Sequence, residues 1–260
     1  MKKIIASVVV LIGMVFASQA NAHIGYRSLD VNNPFTDSVA TDFGWYQGTQ
    51  PTLGNSHDFR WFTFTLAQSS YVDISVAATG AGEFFASSRD VAGANASDTP
   101  FTSVGALDVA ISLFSGVVPA SSVESVTEVN GVLNGFPVPG QGITTIGTNA
   151  GPFGAGIITL SNTGGDTSSI SYLAHANDFG SGVTEALNNV LLAAGQYTLL
   201  VGGASLPLFA EDGITLLNDG TYGVVASLSV QPVPVPGAVW LFGSAMAGLI
   251  GFGRRKSLAA

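Results

Sequence analysis

The chain has 260 residues, of which 47% are hydrophobic and none is cysteine, and its formal charge is −9. Without cysteine there is no disulfide framework, thiolate metal site or thiol nucleophile, so a packed core must supply the stability. Five of the eight basic residues lie at the two ends, which leaves Arg27, Arg60 and Arg89 against all 17 acidic residues in the body, a formal −14 that excludes the basic footprint of a nucleic-acid-binding protein.

In chain order, Met1-Lys2-Lys3 is followed by an uncharged run that ends Ala20-Asn21-Ala22, a small-residue cleavage pattern. Residues 1–22 read as a secretory signal peptide removed by signal peptidase. The mature chain then starts at His23, whose amine and imidazole can chelate copper, although processing alone accounts for its position.

Residues 23–230 carry short alternating runs broken by Gly, Asn, Asp and Ser, with little helical periodicity. Phe59-Arg-Trp-Phe-Thr-Phe-Thr-Leu66 is the clearest strand. Trp61, Thr63 and Thr65 share one face, and Arg60, Phe62, Phe64 and Leu66 the other. Tyr71-Val-Asp-Ile-Ser-Val-Ala77 follows at a spacing that suits an antiparallel neighbour. Further strands are expected over 106–114, 156–160, 169–174, 196–202 and 222–230. Many short strands without intervening helices predict an all-β fold, an antiparallel β-sandwich of jelly-roll-like type, in one domain over 23–230. Residues 80–100 and 131–154 read as long surface loops.

No H-E-x-x-H, G-x-S-x-G, phosphate-cradling or dinucleotide motif accompanies His23, His57 and His175. The sequence therefore assigns no catalytic residue and no cofactor. His57-Asp58 reads as a turn before the aromatic strand. Glu211, Asp212 and Asp219 are hard oxygen donors that suit calcium, but the regular calcium loop is missing and they also read as solvated turn residues. Exposed aromatics can stack on sugar rings. Trp45 and Tyr46, in a Gly-flanked context, are better candidates for glycan contact than Trp61 and Phe62, whose alternating strand favours core packing.

The final strand leads into Pro232-Val-Pro-Val-Pro236, an extended linker over 231–236, then into an apolar stretch over 237–253 and the basic tail 254–260. That stretch has 17 residues, at the short limit for a membrane-spanning helix. Arg254, Arg255 and Lys256 keep the tail cytoplasmic by the positive-inside rule and place the body outside the inner membrane. Pro234, Val235, Pro236, Trp240 and this basic cluster resemble the PEP-CTERM sorting signal recognised by exosortases in Gram-negative bacteria, over about the last 28 residues. Val235 stands where the motif has its acidic residue, which resembles the aliphatic variant.

The resemblance implies a membrane intermediate, cleavage near Pro234-Val235-Pro236, and release to the cell surface or medium, in association with extracellular polysaccharide and biofilm matrix. Ala22-His-Ile-Gly-Tyr-Arg27, Asn55-Ser-His-Asp58 and Leu192-Ala-Ala-Gly-Gln-Tyr-Thr-Leu-Leu-Val-Gly-Gly203 also resemble a PEP-CTERM group of unassigned function. The last segment is similar to the closing strands of jelly-roll carbohydrate-binding modules. The expected function is thus a noncatalytic exported surface or matrix protein whose partners are signal peptidase, an exosortase and exopolysaccharide. A carbohydrate-binding module proper is the alternative. A secreted hydrolase would need paired carboxylates about 5 to 10 Å apart in a cleft.

Overall fold

The structure is a computed structural model that describes residues 24–46, 53–54, 58–87, 99–119, 122–123, 136–137, 157–162, 164–177, 182–234, 242 and 244–247. The signal peptide, His23, His57, Val235, Pro236, Trp240, Arg254, Arg255 and Lys256 lie outside the described residues, as does most of the expected membrane helix. Among the described residues no helix is long and apolar enough to cross a membrane. Phe242 and residues 244–247 are helical and exposed.

The described strands, in chain order, are β1 (Tyr26–Ser28), β2 (Phe35–Thr41), β3 (Leu53–Gly54), β4 (Arg60–Leu66), β5 (Ser70–Ala78), β6 (Gly82–Ala86), β7 (Thr99–Ser103), β8 (Val109–Ser115), β9 (Ser122–Val123), β10 (Phe136–Pro137), β11 (Ile157–Asn162), β12 (Thr167–Ala176), β13 (Thr184–Leu192), β14 (Gly195–Gly203) and β15 (Asp219–Pro232). They build a seven-stranded sheet, β1-β4-β14-β8-β12-β11-β9, facing a four-stranded sheet, β13-β5-β15-β2, with two small two-stranded sheets beside them. Among these described strands all pairings are antiparallel except β1 with β4, and an isolated bridge between Val31 and Leu228 is also parallel. The expected all-β antiparallel sandwich is the fold observed.

The expected pairing of the aromatic strand with Tyr71–Ala77 is not. β4 and β5 lie in different sheets, because the link between them turns the corner of the sandwich. The expected loop over 80–100 also contains β6 and the start of β7, which pair as a hairpin with Phe84 against Phe101.

Period-2 alternation explains the main core. Phe62, Phe64 and Leu66 of β4, Ile111 and Leu113 of β8 and Leu199 and Val201 of β14 meet Phe35 of β2, Val72, Ile74 and Val76 of β5 and Val224 and Leu228 of β15. The seven-stranded sheet is also covered on its other face. Trp61, Ala110, Phe114, Ile170, Tyr172 and Leu200 form a second cluster there under Ile24, Tyr26, Trp45, Phe59 and Val118. This is why β8 is buried at every position from Val109 to Phe114: neither face of the strand meets water.

The two sheets are tied at the edge where β1 and β2 run. Asp37 points inward from β2 and is almost fully buried, with Arg27 Nε donating to one carboxylate oxygen at 3.0 Å and Arg60 Nε to the other at 3.1 Å. The Ser38 backbone N–H completes the set at 2.7 Å. A buried carboxylate is tolerated because three donors replace its water.

Candidate functional site

The outer face of the four-stranded sheet follows from the same alternation. With Val72, Ile74 and Val76 turned into the core, β5 presents Tyr71, Asp73 and Ser75 outward. Register places Ser227 of β15 opposite Ser75, and Ser229 opposite Asp73. On the other side of β5, a break in register between Leu187 and Val190 of β13 puts Asn189 in the left-handed region at φ 55°, and its N–H donates to Asp73 at 2.7 Å. Asn32, also left-handed at φ 55°, closes the far side by donating its N–H to the Leu228 carbonyl at 2.8 Å.

The result is an open groove of about 320 Å3 lined by Asn32, Asn33, Pro34, Asp73, Ser75, Asn188, Ser227 and Ser229, with the strand backbone at Ile74 and Leu228, whose side chains point into the core, between them. Small hydroxyl and amide side chains around one carboxylate offer donors and acceptors to a hydroxyl-rich ligand. Tyr71 lies two residues before Asp73 on the same face, about 7 Å along the strand, and is 37% exposed. Its ring stands opposite Leu191 of β13 and Gln231 of β15. Asp73 is the one carboxylate lining this groove, so the paired carboxylates of a glycosidase are not assembled in it.

The residues expected to contact glycan are elsewhere. Trp45 lies in a 3-10 turn (Gly44–Tyr46) and is fully buried. Its Nε1 donates to the Ala110 carbonyl at 3.1 Å, and its ring lies 4.0 Å, centroid to centroid, from that of Phe59. It is a core anchor, closed to a sugar ring. Tyr46 is partly buried against the second cluster, where burial first, and then the charge of Asp108, push its phenol above the usual range. Trp61 and Phe62 are core residues, edge-to-face with Tyr26 and Phe35.

Of the calcium candidates, Asp212 is committed to its own turn. It accepts from the N–H groups of Ile214 (2.9 Å) and Thr215 (2.8 Å) and from the Thr215 hydroxyl (2.5 Å), bonds that hold its carboxyl below the usual range. Glu211 is exposed beside it, and Asp219 opens β15. Among the described residues no three His, Asp or Glu side chains gather to hold a metal.

His175 and Tyr172 form a separate pair. They sit on β12 across a break in register between Tyr172 and Ala174, which brings the Tyr172 hydroxyl onto His175 Nδ1. Burial lowers the His175 pKa and pushes that of Tyr172 up to about 12, so burial favours the neutral form of both partners in this hydrogen bond.

The sequence does not mark the face around Tyr71 and Asp73 as a site. The available signal was the alternation in Tyr71-Val-Asp-Ile-Ser-Val-Ala77, which groups Tyr71, Asp73 and Ser75 without revealing that the face stays open to solvent.

No protein-family model matches the chain, and no curated protein sequence matches it. Among solved structures it is similar to CorA of Methylomicrobium album BG8, described as a surface-associated copper-binding protein important in copper acquisition. That match has 11% identity and a TM-score of 0.45 and covers 80% of this chain and 98% of the other. It is also similar to MopE, a secreted protein of Methylococcus capsulatus in which an oxidized tryptophan facilitates copper binding, with 15% identity, a TM-score of 0.38, and coverage of 79% and 87%. At such identities and scores copper binding belongs to those two proteins and is not carried over to this chain.

Proposed function

We propose that the protein is a noncatalytic exported module, delivered to the cell surface by exosortase-type processing of its tail, that contacts extracellular polysaccharide through the outer face of its four-stranded sheet. The observation that carries the binding reading is the groove, where Asp73, Ser75, Ser227, Ser229 and Asn188 line an open trough beside the exposed ring of Tyr71. A ring that can stack on a sugar, next to hydroxyl and amide partners, matches what a polysaccharide offers. What supports display is the course of the chain: β15 leads directly into the alternating prolines, and Val233 N–H is bonded to the Ser69 carbonyl at 3.1 Å, so the linker leaves from a defined end of the sandwich. The jelly-roll carbohydrate-binding reading is the narrower version of the same proposal.

Two experiments test it. Titration of the purified protein with the envelope polysaccharide should show saturable binding that falls at least tenfold in Tyr71→Ala and in Asp73→Ala, a step of about 1.4 kcal/mol. Equal affinity in both variants removes the groove from the reading. Intact mass from cells with and without the exosortase tests delivery: a species lacking both ends, at the surface or in the medium and lost without that enzyme, is expected. An uncut tail kept in the inner membrane of both strains would leave an ordinary anchored domain.

A further inference from the structure

Between β14 and β15 the chain makes an excursion that the groove does not use. Residues 205–218 fold back on themselves as a finger: Leu217 N–H donates to the Leu208 carbonyl at 2.7 Å, Ala210 N–H to the Thr215 carbonyl at 2.8 Å, and Phe209 and Leu216 form an isolated bridge. Its tip is turned by Gly213 at φ 65° and capped by Asp212. Its base is clamped by Asn218, 7% exposed, whose side chain accepts from Leu208 N–H (2.9 Å) and donates to the Leu206 carbonyl (3.0 Å). The Tyr222 hydroxyl donates to the Asn218 carbonyl, and Ser205 N–H to that of Asp42.

From this scaffold Leu206, Leu208, Phe209, Ile214 and Leu217 project into solvent, each between 54% and 82% exposed. A loop free to rearrange would fold such side chains away. Here the backbone and the buried amide hold them out, so the ordering that normally opposes association is already in place.

The surroundings select the occupant. Glu211 and Asp212 stand at the tip and Asp219 at the base. The finger precedes β15, whereas the proline linker follows it, and 14 residues of extended strand separate those ends by roughly 45 Å. A finger far from the linker and tipped with carboxylates is poorly suited to an anionic lipid surface. A second copy would bring the same carboxylates together on two bodies of formal charge −14. We infer that the finger docks into an apolar cleft rimmed by lysine or arginine on another exported protein. This docking rests on the export reading, but the finger and the groove share no residue, so it stands or falls apart from the polysaccharide reading.

The test is cross-linking in living cells, with the full-length chain carrying a photoreactive residue in place of Ile214, or of exposed Gln68 in the turn between β4 and β5 as control. The expected result is a discrete adduct with one other protein at Ile214 and none at Gln68, its cross-linked peptide bordering lysines or arginines. In the chain carrying the probe at Ile214, Glu211→Lys and, separately, Leu208→Ser should each cut the yield at least fivefold while leaving the thermal midpoint unchanged. Glu211→Lys alone keeps the test decisive if the leucine variant fails to fold. Adducts only with lipid or with a second copy, a partner peptide set in an acidic or uncharged surface, no adduct, or yields unmoved by Glu211→Lys would each overturn the inference.

Discussion

Three side chains set terms that their neighbours must meet. Trp45 fills the space under Phe59 and satisfies its indole N–H on the Ala110 carbonyl, so Trp45→Ala leaves a large cavity in the second cluster. A loss of about 4 kcal/mol is expected in denaturant unfolding, with binding at the groove unchanged in the folded fraction. Asp37 is matched by two guanidiniums. Asp37→Ala strands both and should cost about 3 kcal/mol, whereas Arg27→Ala leaves Arg60 in place and should cost less.

His175 titrates with a consequence for stability. Burial depresses its folded pKa below the unfolded value of 6.5, so the folded state prefers the neutral ring. The contribution is complete above pH 6.5 and is lost as pH falls from there through the folded pKa. Urea midpoints at pH 7.5 and pH 5 should therefore differ more in the parent protein than in His175→Gln; equal differences would show that the ring does not carry this dependence.

Among the elements, β14 is tightly constrained, because it lies inside the larger sheet beside β8 and is buried from Tyr197 to Gly203. At its end a Cβ on Gly203 would run into the backbone of Asp42, and one on Gly202 would come within 2.7 Å of the Phe59 ring. Gly203→Ala should cost about 3 kcal/mol, and a melting temperature unchanged in that variant would mean that the turn after β2 can give way. These two glycines read in sequence as ordinary punctuation at the end of a strand. Their role is close approach, which depends on residues 143 and 161 positions earlier in the chain, Phe59 for Gly202 and Asp42 for Gly203.

β13 is a strand that the sequence pattern does not reveal. Thr184-Glu-Ala-Leu-Asn-Asn-Val-Leu-Leu192 lacks an unbroken alternation because the register slips at Asn189, and its edge position leaves several side chains exposed. The period-2 signal is legible only where the ladder is regular and one face is buried.

For the whole molecule, charge is the dominant long-range term. With a formal −14 on the body and two of its three arginines held on Asp37, acidic groups repel one another across much of the surface. The melting temperature should rise between 10 and 200 mM sodium chloride, as screening relieves that repulsion. A fall over that range would mean that the Asp37 clasp outweighs the general repulsion.

Fold class and the strongest strands could be read from the chain itself, since alternation and turn residues are local properties, and Phe62, Phe64 and Leu66 proved to be core as expected. The absence of cysteine and the acidity of the body were equally plain. Which aromatics are available to a ligand was decided only by tertiary structure. Trp45 follows Gly44 and Tyr71 follows Ser69-Ser70, contexts that do not separate them in sequence, yet the second cluster closes over Trp45, while Tyr71 keeps 37% of its surface exposed. Burial is set by what the rest of the chain places above a residue, and that information lies in the pairing of distant strands.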